Sequence, residues 1–182
     1  MKELKPSRLY TDRLELIAAT PEHVKAELEN PELLASLLNA QVGPGWPPGE
    51  YDRGAQEFFL DRLTEGGKPA QGWYLWYALR RETPTQPALL IGSGGYVGPP
   101  DGSGVVEIGF SVMTEHRGLG YATEIAQALI AKAFTDNRVQ KVIAHTTPEN
   151  KASCRVLEKC CFSWIEGSDN GRFEILRSTC RK

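Results

Sequence analysis

A chain of 182 residues with 41% hydrophobic content is long enough to bury one substantial core and short for two, so a single domain over residues 1–182 is expected. Its 21 Lys and Arg against 23 Asp and Glu leave a net charge of -2, which excludes the basic footprint of a nucleic-acid binder. The opening MKELKPSRLY lacks the apolar region of a secretion signal and no stretch reaches bilayer length, so a cytoplasmic protein without membrane contact is expected, in which Cys154, Cys160, Cys161 and Cys180, with no CxxC pair, read as reduced and buried small side chains.

Helices are expected to open at Thr20-Pro21-Glu22, Asn30-Pro31-Glu32 and Thr147-Pro148-Glu149. Each segment supplies a capping side chain, a proline with φ preset for the first turn and a carboxylate that complements the helix dipole. Asp52 to Thr64 reads as a further helix with Phe58, Phe59 and Leu63 on its apolar face and Gly66-Gly67 as its stop. Trp73 to Leu79 and Leu89 to Val97, aromatic and β-branched runs on either side of Arg80 to Pro84, read as a hairpin. The alternating Trp73, Tyr74, Trp76 and Tyr77 fit a strand with a buried face, and Trp46-Pro47-Pro48 a loop that lines either core or acceptor pocket.

From Val105 to Met113 the residues alternate, with Val106, Ile108, Phe110 and Val112 on one face and Glu107, Gly109 and Ser111 on the other. A strongly periodic helix follows, carried by Ala122, Ile125, Ala126, Leu129, Ile130 and Ala133. Lys141 to Thr146 reads as a strand, Asn150 to Cys160 as a helix, and Phe162 to Ile165 and Arg172 to Ser178 as closing strands. Hairpins followed by a strand, helix and strand unit indicate a mixed α/β sheet with helices packed on it.

Between the alternating strand and the periodic helix lies Thr114-Glu115-His116-Arg117-Gly118-Leu119-Gly120-Tyr121-Ala122. Helix N-termini present unpaired N–H groups and partial positive charge, and two glycines let the backbone approach an anion without β-carbons in the way. Arg117 adds a cation beside it. A purely structural turn is the alternative. A dinucleotide fingerprint fits less well, because Thr123 stands at its third glycine position and the turn follows antiparallel hairpins.

Arg117-Gly118-Leu119-Gly120-Tyr121-Ala122 resembles the Q/R-x-x-G-x-G/A signature of the GNAT acyltransferases. Thr11-Asp12-Arg13-Leu14-Glu15-Leu16 is similar to the opening strand of the RimJ/RimL-like branch, and Asn150-Lys151-Ala152-Ser153 to that branch's N-x-x-S helix start. The resemblance implies the GNAT fold: a central mixed, mostly antiparallel sheet, helices on both faces, and a V-shaped splay between two parallel strands, here Val105 to Met113 and Lys141 to Thr146. It implies acetyl-CoA as cosubstrate and no metal. The backbone of Arg117, Gly118, Leu119, Gly120, Tyr121 and Ala122 would hold the pyrophosphate, Val112 would pair with pantetheine, and Asn150 and Ser153 would contact the cofactor from the opposite side. The chain departs from the family pattern at Thr114, where proline is frequent, at Cys160-Cys161-Phe162 in place of Leu-Gly-Phe, and at Leu157 in place of a catalytic tyrosine.

An alkyl ammonium of pKa ~10.4 must lose a proton before it attacks a thioester. Glu107 is the candidate base, against the alternative of a salt-bridged strand glutamate. N–H groups near Val112 are candidates to stabilise the oxyanion and Ser153 to protonate the thiolate, unless Ser153 only caps or packs. His145 at a strand end either lines the acceptor side or is structural. A protein N-terminal α-amine and a small-molecule amine satisfy this chemistry equally, and monomer and homodimer are both compatible with it. Two other functions stay open: a non-catalytic acyl-CoA-binding regulatory module, and a nucleotide-dependent oxidoreductase that would bind NAD(P).

Overall fold

The computed structural model describes residues 6–168 and 171–179. Along the chain lie β1 (Arg8–Tyr10), β2 (Leu14–Ala18), α1 (Pro21–Glu29), α2 (Pro31–Leu38), β3 (Gln41–Val42), α3 (Arg53–Ala70), β4 (Leu75–Arg80), β5 (Leu89–Tyr96) and β6 (Val105–Val112). A short 3-10 turn (Thr114–His116) leads to α4 (Tyr121–Thr135), β7 (Lys141–His145), α5 (Lys151–Lys159), β8 (Ser163–Trp164) and β9 (Arg172–Leu176). The strands order as β1-β2-β4-β5-β6-β7-β9-β8, and β3 joins β5 in parallel. Within that order every pairing is antiparallel except β6 with β7. The mixed, mostly antiparallel α/β sheet of the GNAT fold is therefore present, splay included.

Helices cover both faces. On one, α4 and α5 bury Ile125, Leu129 and Leu157 against Val106, Ile108 and Val142. On the other, α1, α2 and α3 bury Val24, Leu34 and Leu63 against Ile17, Leu75, Tyr77 and Leu90. Strand β4 divides its side chains between the two cores, Trp76 and Ala78 facing one and Leu75, Tyr77 and Leu79 the other. A strand covered on both faces needs an unbroken apolar run, which is why Leu75 to Leu79 is apolar throughout and why the Trp76 and Tyr77 rings are core. No helix among the described residues is long and apolar enough to cross a membrane.

Thr20 and Asn30 cap α1 and α2 as their sequence context dictates, Thr20 through a capping box in which His23 takes the usual glutamate's place. Thr147-Pro148-Glu149 does not open a helix. It forms a turn closed by the Asn150 amide on the Thr147 carbonyl at 3.0 Å, and Asn150 itself caps α5 by accepting from the Ser153 amide at 3.1 Å. An asparagine placed three residues before a free amide competes successfully with the earlier threonine. In α3, Gly67 breaks the helix with φ 56° and ψ -143°, but one further turn follows through Pro69. Phe58 is exposed on that helix, and Phe59, Leu60 and Leu63 make its apolar face. Cys154, Cys160 and Cys161 are free thiols, of which only Cys160 is buried, and Cys180 lies outside the described residues.

Helix α5 ends with Cys161 in the left-handed region at φ 64°, while the Phe162 amide reaches back to the Leu157 carbonyl at 3.0 Å. This Schellman geometry normally falls to glycine, because a β-carbon there crowds the carbonyl. Cys161→Gly should therefore raise stability by about 1 kcal/mol. Urea denaturation checks this, and a midpoint that stays put or falls refutes the strain at Cys161.

Candidate functional site

The ladder between β6 and β7 covers only Val105 to Glu107, opposite Lys141 to Ile143, while β6 stays paired with β5 up to Val112. Beyond Glu107 the two parallel strands separate. The parity of the β5 pairing decides what the gap offers. The Val97 amide donates to the Glu107 carbonyl at 3.0 Å and the Met113 amide to the Ile91 carbonyl at 2.9 Å, so odd-numbered residues of β6 turn their backbone polar groups to β5. Ile108, Phe110 and Val112 turn theirs toward the gap. The Val112 carbonyl is already taken by Arg117 Nε at 2.9 Å, which leaves its amide facing the opening.

A cleft of about 400 Å³ lies along the free edge of β6 beyond Glu107. Phe110 and Val112 form one wall, Asn150, Ser153 and Val156 of α5 the other, and Arg117, Gly118, Gly120, Tyr121 and Ala122 the end at which α4 begins. Gly118 and Gly120 have φ of 75° and 85°, so the chain reaches the helix through two left-handed residues. Thr20, Asn30, Asp52 and Asn150 each cap their helix with a side chain, whereas α4 starts at Gly120 with no side-chain cap. Its first-turn amides face the cleft, where an anion can complete them. Arg117 at the α4 end and Arg155 and Lys159 on the α5 wall supply cations to the cleft.

The turn is held from behind. Glu124, in the first turn of α4, accepts from the Thr11 hydroxyl at 2.5 Å, the Arg13 amide at 2.9 Å and Arg13 Nε at 2.8 Å. Arg13 Nη1 donates to the Leu119 carbonyl at 2.9 Å, and the guanidinium lies 4.4 Å from the centre of the Tyr121 ring. Burial pushes the Glu124 carboxyl up, but the Thr11 hydroxyl and Arg13 more than offset it and hold it below the usual carboxylate range. The Thr11 to Leu14 segment thus fixes the loop that α4 springs from.

Two of the residues expected at the site stand off the cleft. Leu119 turns its side chain outward, 55% exposed, and contributes only the carbonyl that Arg13 holds. Glu107 sits where the ladder ends, on the β6 face opposite the α4 core, with an oxygen 2.8 Å from His145 Nδ1. His145 is thereby the partner of Glu107. Leu157 is 1% exposed and packed in the core, while Ser153 one turn earlier and the adjacent Val156 line the cleft. The helix cap uses the Asn150 side chain and the Ser153 backbone, so the Ser153 hydroxyl is not consumed by it.

Glu50 escaped the sequence reading. Its Oε2 accepts from the Ser111 hydroxyl at 2.9 Å and from Arg117 Nη2 at 3.0 Å, in the wall of the cleft. The signal was weak because Glu50 lies in an irregular loop 61 residues from Ser111. Its loop is fixed by Glu27, a buried carboxylate that accepts from Trp46 Nε1 at 2.6 Å and from the Tyr51 and Tyr77 hydroxyls, each at 2.7 Å. Burial pushes the Glu27 carboxyl up despite these donors. Trp46 is therefore a loop anchor.

A family profile described as an acetyltransferase (GNAT) domain matches residues 13–163. The uncharacterized N-acetyltransferase YjdG of Bacillus subtilis is 27% identical over 154 residues, covering 85% of this chain and 88% of its own. Among solved structures, the ribosomal-protein α-N-acetyltransferase RimL in complex with coenzyme A superposes with a TM-score of 0.64 at 15% identity, over 93% of this chain and 98% of that one. AAC(6')-Ib in complex with ribostamycin and coenzyme A gives a TM-score of 0.61 at 20% identity, over 94% and 99%.

A valine at position 120 would be strained at φ 85°, and its β-carbon would stand 3.4 Å from Arg13 Nη2. Gly120→Val is expected to weaken acetyl-CoA binding at least about tenfold, by spoiling both the turn and its brace. Isothermal calorimetry on the folded variant is the measurement, and an unchanged dissociation constant would remove the turn from the cofactor site.

Proposed function

We propose that this chain, which belongs to the GNAT acetyltransferase family, transfers an acetyl group from acetyl-CoA to a primary amine by direct attack within a ternary complex. The observation that carries this reading is the uncapped start of α4 at one end of a cleft that lies between the free edge of β6 and α5, beyond the point where β6 leaves β7. Anion-binding amides and free strand amides lie along one continuous path, which suits a cofactor with a pyrophosphate at one end and an amide-bearing arm at the other. Acetyl-CoA supplies the activated acyl group. The backbone of Arg117 to Ala122 holds the pyrophosphate, the Val112 amide pairs with the arm, and Asn150 and Ser153 close over it from α5.

The acceptor approaches from the opposite face of β6, where Glu107 and His145 are paired. Its ammonium gives a proton to Glu107, directly or through water, and His145 at 2.8 Å shares that charge. The amine nitrogen then bonds to the acyl carbon, and the carbon–sulfur bond breaks with its electron pair on sulfur. The nitrogen's second proton is lost while the Ser153 hydroxyl passes a proton to the departing thiolate and regains one from the nitrogen side through water. Strand amides that face the gap, Val112 foremost, stabilise the negative oxygen that develops in between. Leu157 cannot act as an acid from the core. Within the family the chain resembles the RimJ/RimL-like branch through Thr11 to Leu16 and Asn150 to Ser153.

Glu107→Gln keeps a hydrogen-bonding partner for His145 but removes the base, so turnover should fall by about 10²-fold or more while acetyl-CoA affinity holds. Thiol release across an amine panel gives the rate and calorimetry the affinity. Near wild-type turnover from low to high pH would exclude Glu107 as the base. Ser153→Ala should cost less, because a thiol of pKa ~8.5 leaves tolerably well unaided. If this variant only raises the Michaelis constant for acetyl-CoA and leaves maximal turnover intact, Ser153 binds and does not donate.

A further inference from the structure

The face of β6 that carries Glu107 is open around Glu107 and Gly109 and closes at Ser111, which is buried. Helices α1, α2 and α3 cover β2, β4 and β5 on this side, but no residue of β6 joins their core. Gly109 is exposed, and a β-carbon there would meet nothing within 4 Å. Glu107, Gly109 and Ser111 share the face by alternation, so the glycine forms a bare floor between its two neighbours. Glu107 with His145 stands at one end of that floor, and Ser111, holding the Glu50 carboxylate, at the other. Four residues of extended strand separate the ends by about 13 Å.

The carboxylate at the second end is built in. Trp46 and Tyr51 tie both ends of its loop to Glu27, so the segment between them is held in place while Glu50 extends outward with a side chain 60% exposed. Exposure of that degree, beside a cleft and at the end of an anchored loop, is not what a structural glutamate needs. Ser111 and Arg117 engage mainly Oε2, whereas Oε1 has only Arg117 at 3.3 Å and keeps most of its acceptor capacity. Burial pushes the Glu50 carboxyl up, and the Ser111 hydroxyl and Arg117 outweigh it, so the group stays ionised at neutral pH.

Arg117 is also the cation of the turn at the start of α4. A doubly charged pyrophosphate there draws the guanidinium's charge to itself and leaves Glu50 incompletely compensated, facing the open floor. The reactive amine needs only one carboxylate. Resting on the acetyl-transfer reading above, we infer that Glu50 is a specificity residue that docks a second positive charge on the acceptor, so that this chain's substrates are amines carrying a second cationic nitrogen. A monoamine leaves that carboxylate unused, and an acceptor with an anionic neighbour is repelled by it.

The test compares thiol release from acetyl-CoA for α,ω-diamines of increasing length with straight-chain monoamines of equal carbon number, in wild type, Glu50→Gln and Glu50→Asp, alongside calorimetry of acetyl-CoA. Wild type should favour diamines in kcat/KM by about tenfold or more, the scale of one charge-assisted hydrogen bond. Glu50→Gln should collapse the ratio of the two series toward one through the diamine KM, and Glu50→Asp should retain part of it. Equal treatment of the two series by wild type, a ratio that survives Glu50→Gln, or no turnover of any amine while acetyl-CoA still binds each overturns the inference. Failure of the wild type to bind acetyl-CoA overturns the underlying reading instead.

Discussion

The pairing of β6 with β7 stops after Glu107, and the rest of the site depends on that stop. A parallel ladder carried to Val112 would use up the backbone groups that now face a gap, and it would close the passage from one face of the sheet to the other. Because β5 stays paired with β6 from Ile108 to Val112, the strand is held on its far side while its other edge is free. A free edge in the middle of a sheet leaves polar groups without partners unless a ligand or water meets them. The walls supplied by α4 and α5 turn that free edge into the side of a cleft.

Two carboxylates far apart in the chain keep the path in shape. Glu124 gathers Thr11 and Arg13 and, through Arg13, fixes the carbonyl of Leu119. Glu27 gathers Trp46, Tyr51 and Tyr77 and so fixes the loop that carries Glu50. Glu27 satisfies buried donors that would otherwise be stranded, while Glu124 holds half-exposed donors in one arrangement. Loss of Glu27 would leave two buried tyrosine hydroxyls and the Trp46 indole unpaired, at roughly 1–3 kcal/mol for each buried donor. Neither carboxylate enters the cleft, so their contribution is position and not contact.

At α5 the departures from the family pattern resolve by different means. Cys161 adopts the left-handed conformation in spite of its side chain, because the cap bonds of Phe162 and Cys161 to the end of the helix hold it there. Leu157 turns into the core and leaves Ser153 as the hydroxyl on the cleft side. A helix that buries one stripe and lines a cleft with the next can change a residue on either without moving the other.

The local features of the site were written in the sequence. Alternation along Val105 to Met113 put Glu107 on the face away from the core, and Gly118 and Gly120 before a periodic helix marked a turn able to hold an anion. Such signals work within a few residues, at the spacing of a strand, a helical turn or a cap. Where two signals compete locally the sequence misled: Thr147-Pro148-Glu149 had every mark of a helix start, and Asn150 took the cap. What joins His145 to Glu107, Arg13 to Glu124 and Glu50 to Arg117 spans 38, 111 and 67 residues. No local pattern encodes those meetings. They follow from which strands lie side by side and where their pairing ends, and only the tertiary structure decided that.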